Sequence, residues 1–157
     1  TGLNTMTGGR IRKIKKYIGN EDFCLTYGDG VSDINIDKLI AFHKKNKKIA
    51  TVSSVIPPGR FGSMTIKHNH VDSFTEHHSG KEPASNGGFF VVKPEIFKYI
   101  RNDQTIFERY TMQKLVKAKE LVSYKHYGFW HPMDTIRDKT NLEKLWYKNA
   151  APWKIWK

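Results

Sequence analysis

The sequence predicts an α/β fold: a mixed, mostly parallel sheet flanked by helices. Three observations carry this. Short β-branched or aromatic runs at 22–27, 49–56, 89–92 and 121–130 alternate with stretches whose apolar residues recur at helical spacing. The run Phe23-Cys24-Leu25-Thr26 ends in Tyr27-Gly28-Asp29-Gly30, a carboxylate between two glycines, with an amphipathic segment after it. A second carboxylate, Asp134, stands between the aromatic run Phe129-Trp130 and the start of the last helical pattern. In open α/β sheets ligands bind beyond the carboxyl ends of the strands. Asp29 and Asp134 are therefore candidates to share one divalent metal, and Gly28 and Gly30 leave room for a phosphate to approach the backbone.

A chain of 157 residues, 38% apolar, is one domain by size and can bury a sizeable core. Its formal charge of +12 and pI near 9.8 favour anionic ligands: nucleotides, sugar phosphates, nucleic acid or acidic lipid. The lysines are scattered over expected helix ends and loops, with no aromatic stripe between them, so no nucleic-acid partner is expected. No run approaches the ~18 apolar residues of a membrane span, and no signal peptide is visible, so no membrane partner is expected either. The single cysteine, Cys24, excludes an internal disulfide and is expected to be a small buried hydrophobe in a reducing, cytoplasmic compartment.

Along the chain, Ile11, Ile14, Tyr17 and Ile18 predict a helix capped by Thr7, with bare N–H groups over Thr7-Gly8-Gly9. A helix over 35–46 is expected to bury Ile36, Leu39 and Ile40, and its lysine-rich end suits the helix dipole. Pro57-Pro58-Gly59 breaks regular structure, and 63–67 with 71–75 predict a hairpin about His68-Asn69-His70. Its histidines, with His77 and His78, lack a cysteine or carboxylate at a metal-ligand spacing. Asn86-Gly87-Gly88 leads into a strand that Lys93-Pro94 ends, with a short helix after it. Thr105-x-x-Glu108 predicts a capping box, opening a helix that buries Phe107, Tyr110, Met112 and Leu115. A long strand over 121–130 and a helix over 135–148, burying Leu142, Leu145 and Trp146, lead to an aromatic tail that docks on a surface.

With these residues in view, the sequence resembles the sugar-nucleotidyltransferase family over essentially its whole length. Six blocks in order carry the resemblance: Thr5-Met6-Thr7-Gly8-Gly9-Arg10, Tyr27 to Asp33, Pro57 to Gly62, Asn86 to Phe90, Trp130-x-Pro132-Met133-Asp134-Thr135 and Ala151-Pro152-Trp153-Lys154. The resemblance implies a Rossmann-like nucleotidyltransferase domain and cytidylyl transfer from CTP to glucose 1-phosphate, giving CDP-glucose for surface polysaccharide. By resemblance Asp29 and Asp134 are the catalytic, metal-binding pair, with Mg²⁺ as cofactor. Thr7, Gly8, Gly9 and Arg10 match the nucleotide-binding segment. Gly62, Glu76, His77, Asn86 and Gly87 match the sugar-phosphate site, and a homo-oligomer is implied. Asp33 is assigned to helix capping, not to a ligand.

The implied chemistry agrees with the residue types present. A sugar phosphate is already an anionic nucleophile, so no Ser, Cys or His base is required; charge and alignment make up the barrier. Two departures qualify the match. The family opens with a strand, a Gly-x-Gly-Thr-Arg type loop and a Lys-Pro segment, none of it within these 157 residues. The resemblance thus implies a C-terminal portion, inactive alone, whose sheet is incomplete on its N-terminal side and whose open apolar surface needs a partner chain. His77 stands where the family has lysine, so weaker sugar-phosphate binding that improves toward pH 6 is expected, with Lys81 as a substitute charge. The competing expectation is a non-catalytic homologue acting as a binding or assembly module.

Overall fold

The structure, a computed structural model, describes residues 1–57, 63–75 and 84–156. In chain order its elements are α1 (Thr7–Lys13), α2 (Lys15–Ile18), β1 (Phe23–Thr26), β2 (Gly30–Ser32), α3 (Ile36–Asn46), β3 (Ala50–Val55), β4 (Ser63–Lys67), β5 (His70–Thr75) and β6 (Ser85–Val92). A 3₁₀ helix (Pro94–Tyr99) and a π-helical turn (Phe107–Thr111) precede α4 (Met112–Lys117), β7 (Leu121–Lys125), β8 (Trp130–Pro132) and α5 (Ile136–Tyr147). Sheet and flanking helices are those expected: a mixed sheet in the order β1-β6-β3-β7. β1 runs antiparallel to β6, with Phe23 opposite Val92 and Thr26 opposite Phe89.

The chain divides into two compact units. The first comprises Thr1–Tyr27, Asn35–Ser53 and Gly88–Tyr124. Its core joins Ala50 of β3 and Phe90 and Val92 of β6 to Ile96, Phe107, Leu115 and Ile11 of the helices. Phe90 is the hub: Tyr27 and Phe107 meet it edge-on at 5.6 and 5.7 Å between centroids, the favoured arrangement of aromatic quadrupoles. β1 is an edge strand whose outward residues are Cys24 and Thr26. Cys24 is thus exposed, not buried as its apolar neighbours led one to expect. It borders an apolar hollow of about 190 Å³ with Ile36, Leu39 and Phe89, and this partial burial raises its thiol pKa.

α3 begins at Asn35, whose side chain accepts from the Lys38 N–H. Its buried residues are Leu39 and His43; Ile36 remains 39% exposed. The expected capping box at Thr105 does not form. Thr105 Oγ1 instead accepts from the N–H groups of Arg101 and Asn102, and the Glu108 carboxylate is held by two distant hydroxyls.

The second unit comprises Gly28–Ile34, Ser54–Gly87 and Lys125–Lys157. The hairpin β4·β5 turns through His68 and Asn69, both at positive φ, as a tight two-residue hairpin turn requires. Two features differ from expectation. The strand expected over 121–130 stops at Lys125 and resumes as β8, and a further short strand, β2, follows Asp29 directly. β2 and β8 pair antiparallel, Gly30 with Pro132, Val31 with His131 and Ser32 with Trp130. α5 starts in a full capping box: Thr135 accepts from the Asp138 N–H, and Asp138 accepts from the Thr135 N–H. Leu142 is buried on α5, whereas Trp146 is 45% exposed. The aromatic tail docks as expected through Trp153, stacked on Phe129 at 5.4 Å.

Candidate active site

The ribbon β2·β8 organises the site in the second unit. Asp29 immediately precedes β2, and Met133 and Asp134 immediately follow β8. The Met133 N–H donates to the Asp29 carbonyl oxygen at 2.6 Å, closing the ribbon at this end. Two carboxylates far apart in sequence are thereby brought to adjacent backbone positions, both exposed. Among the described residues nothing lies within 4 Å of where a Cβ on Gly28 would be. The Trp130 indole N–H donates to the Gly87 carbonyl at 2.8 Å. That bond ties the Asn86-Gly87 pair, Asn86 exposed and Gly87 buried, to the same ribbon. Asp29, Asp134 and the Asn86-Gly87 pair are thus each tied to the β2·β8 ribbon; Gly62, Glu76 and His77 lie outside the described residues.

Two exposed carboxylates are hard oxygen donors of the kind Mg²⁺ takes, an ion that keeps several waters and binds through one or two carboxylates plus substrate phosphates. Among the described residues no group of three or more His, Cys, Asp or Glu side chains is placed to hold a metal ion. Asp29 and Asp134 would hold the ion; it would neutralise phosphate charge.

The segment Thr7-Gly8-Gly9-Arg10 belongs to the first unit, and its local bonding differs from expectation. Met6, not Thr7, occupies the N-cap of α1 and offers no side-chain cap. The Gly8 N–H is taken by the Thr105 carbonyl at 2.9 Å. Gly8 and Gly9 are buried against the backbone of Thr105 and Asp103, where a Cβ would collide. Thr7 Oγ1 donates to Glu108 at 2.8 Å and accepts from the Phe107 N–H at 2.9 Å. Tyr27 Oη donates to the other Glu108 oxygen at 2.8 Å. The segment is thus a packed support, with the exposed Arg10 guanidinium bonded to Thr1 Oγ1 at 2.7 Å. The sequence reading put Glu108 in a capping box and did not foresee that it bridges Thr7 and Tyr27 within the first unit. Its partners lie 101 and 81 positions away, and no local pattern encodes that.

No family model matches the chain. In fold it is similar to solved nucleotidyltransferases. A UDP-glucose pyrophosphorylase complexed with UDP-glucose aligns with TM-score 0.65 at 14% identity, covering 94% of this chain and 64% of that one. The inositol-1-phosphate CTP transferase from T. maritima aligns with TM-score 0.63 at 12% identity, covering 97% and 64%. The α/β fold expected from the sequence is thus the one these likenesses show. In sequence the chain is similar to the glucose-1-phosphate cytidylyltransferase of Salmonella typhimurium, at 46% identity over 157 residues, 99% of this chain. The resemblance drawn from the motifs holds, and the chain spans 61% of the length of that relative.

Proposed function

We propose that the chain carries the metal-binding and sugar-binding part of a glucose-1-phosphate cytidylyltransferase. The observation that supports this most is the Met133–Asp29 closure of β2·β8, which joins the backbone of Asp29 to the residue before Asp134 at one end of the ribbon. A phosphate oxygen of glucose 1-phosphate attacks the α-phosphorus of CTP in line. The new P–O bond forms as the bond to the β-phosphate oxygen breaks, and pyrophosphate leaves with the electron pair. A bound Mg²⁺ supplies charge neutralisation and alignment of the phosphates. Asp29 and Asp134 fix where that charge sits, and Asn86-Gly87, tethered by Trp130, presents backbone and amide groups to the sugar. No protein base moves a proton, because the nucleophile is already ionised.

The reading brings homo-oligomeric assembly with it. The exposed Trp146, Tyr147, Ile155 and Trp156 offer apolar surface of the kind such contacts use. The test is Mg²⁺-dependent pyrophosphate release from CTP and glucose 1-phosphate. It is run with this chain and with a chimera that adds the part of the S. typhimurium relative the chain does not cover. Turnover in the chimera that vanishes in Asp29→Ala supports the reading. A folded chimera silent with CTP, UTP and dTTP alike overturns it in favour of a non-catalytic homologue.

A further inference from the structure

Asp33 and His126 lie at the opposite end of β2·β8 from the two exposed aspartates. β2 and β8 are three residues each, and so short a two-stranded ribbon is marginal without help. The help is concentrated at one place. The Phe129 carbonyl accepts from Ser32 Oγ at 2.8 Å and from the Asp33 N–H at 3.2 Å. His126 Nε2 lies 2.9 Å from Asp33 Oδ1, 3.1 Å from Ser32 Oγ and 3.2 Å from the Phe129 oxygen. Ser32 gives its own hydrogen to Phe129 and accepts from the Ile34 N–H at 3.2 Å. The Phe129 oxygen can only accept, so in that bond Nε2 is the donor. Asp33 Oδ1 is shut off from water and accepts no well-aligned hydrogen bond among the described residues, so the His126 ring 2.9 Å away is the one polar group facing it, and losing that ring would leave the buried carboxylate oxygen without compensation. Gly128 admits this arrangement, since a Cβ there would run into Asp33 Oδ1 and the His126 ring.

We propose that Asp33 and His126 are positioning residues: a latch that fixes the register of β2·β8 and thereby holds Asp29 and Asp134 at the spacing one divalent cation needs. The proposal rests on the two-carboxylate metal site proposed above and adds how that site is held.

The test reads two quantities in this chain. One is hydrogen exchange of the Met133 amide, at the far end of the ribbon; the other is Mn²⁺ affinity by electron paramagnetic resonance. His126→Leu is expected to speed Met133 exchange at least tenfold while the Leu142 amide in α5 keeps its rate, and to weaken Mn²⁺ binding at least tenfold. His126→Gln, whose amide N–H can replace Nε2–H, is expected to stay within about threefold of the parent. Should His126→Leu fail to fold, Gly128→Ala displaces the Asp33 carboxylate by a single methyl and is expected to speed exchange likewise. Unchanged Met133 exchange overturns the latch. Faster exchange with unchanged Mn²⁺ affinity overturns its positioning role. Absence of Mn²⁺ binding in the parent chain counts against the two-carboxylate site, and the latch is then judged on exchange alone.

Discussion

The Met133 N–H donates to the Asp29 carbonyl at 2.6 Å, one peptide away from Asp134. Through this bond two residues from opposite ends of the chain share one edge of one ribbon. The chemistry proposed for the protein depends on that edge. Both side chains are exposed.

Asp29→Ala is accordingly expected to leave stability within about 0.5 kcal/mol of the parent, while turnover of the chimera falls by about a hundredfold or more, several kcal/mol of lost charge stabilisation. Urea denaturation and pyrophosphate release check the two halves separately.

Glu108 joins Thr7 to Tyr27 through two hydroxyl hydrogen bonds. Hydrogen bonds to a charged acceptor are worth about 1.5–3 kcal/mol each, and Glu108 is half-buried. Glu108→Ala should therefore destabilise by about 2–4 kcal/mol, and Glu108→Gln, which keeps one acceptor oxygen, by clearly less. A loss near 1 kcal/mol, the ordinary value of a helix cap, would show that the two long-range bonds contribute little. Urea unfolding followed by circular dichroism decides.

The glycines separate packing from access. A Cβ on Gly9 would meet the Asp103 backbone, whereas one on Gly28 would meet nothing within 4 Å among the described residues. Gly9→Ala should destabilise by about 1–3 kcal/mol through overpacking. Gly28→Ala should fold like the parent yet lose activity in the chimera, because the methyl occupies space left for phosphate. Parallel melts and assays of the two variants distinguish them.

His43 is fully buried on α3, with Nδ1 2.8 Å from Thr51 Oγ1 and Nε2 3.6 Å from Asp22. Burial lowers its pKa; the charge of Asp22 opposes this, and that of Lys93 adds to it. A histidine with a depressed folded pKa binds fewer protons folded than unfolded. Its contribution is fully present above the unfolded value near 6.5 and is lost as pH falls from there through the folded pKa. The urea midpoint should drop between about pH 7 and pH 5, and His43→Gln should flatten that drop. An equally steep fall in His43→Gln would assign it to other groups.

Much of this was legible in the sequence because it is local. Asn35 with the helix after it, the turn at His68-Asn69, Asp29 and Asp134 each beside an element end, and the docking tail all follow from short-range pattern. What was not legible is long-range. β2 was hidden because three residues carry no periodicity. Glu108 imitated a capping box in sequence, while its carboxylate was claimed by hydroxyls far along the chain. His43 sat on the inner face of a helix whose apolar residues drew attention first. Cys24 took its expected burial from its neighbours, but an edge strand turns alternate residues outward. Asp33 passed as a cap, and nothing near it in sequence announces His126.

The most direct measurement is a Mn²⁺ titration of this chain beside Asp29→Ala and Asp134→Ala, read by electron paramagnetic resonance. One site per chain, lost in either variant, is what two aspartates sharing a single cation on β2·β8 predict. Binding that survives in both variants, or that disappears in only one of them, would contradict a shared site.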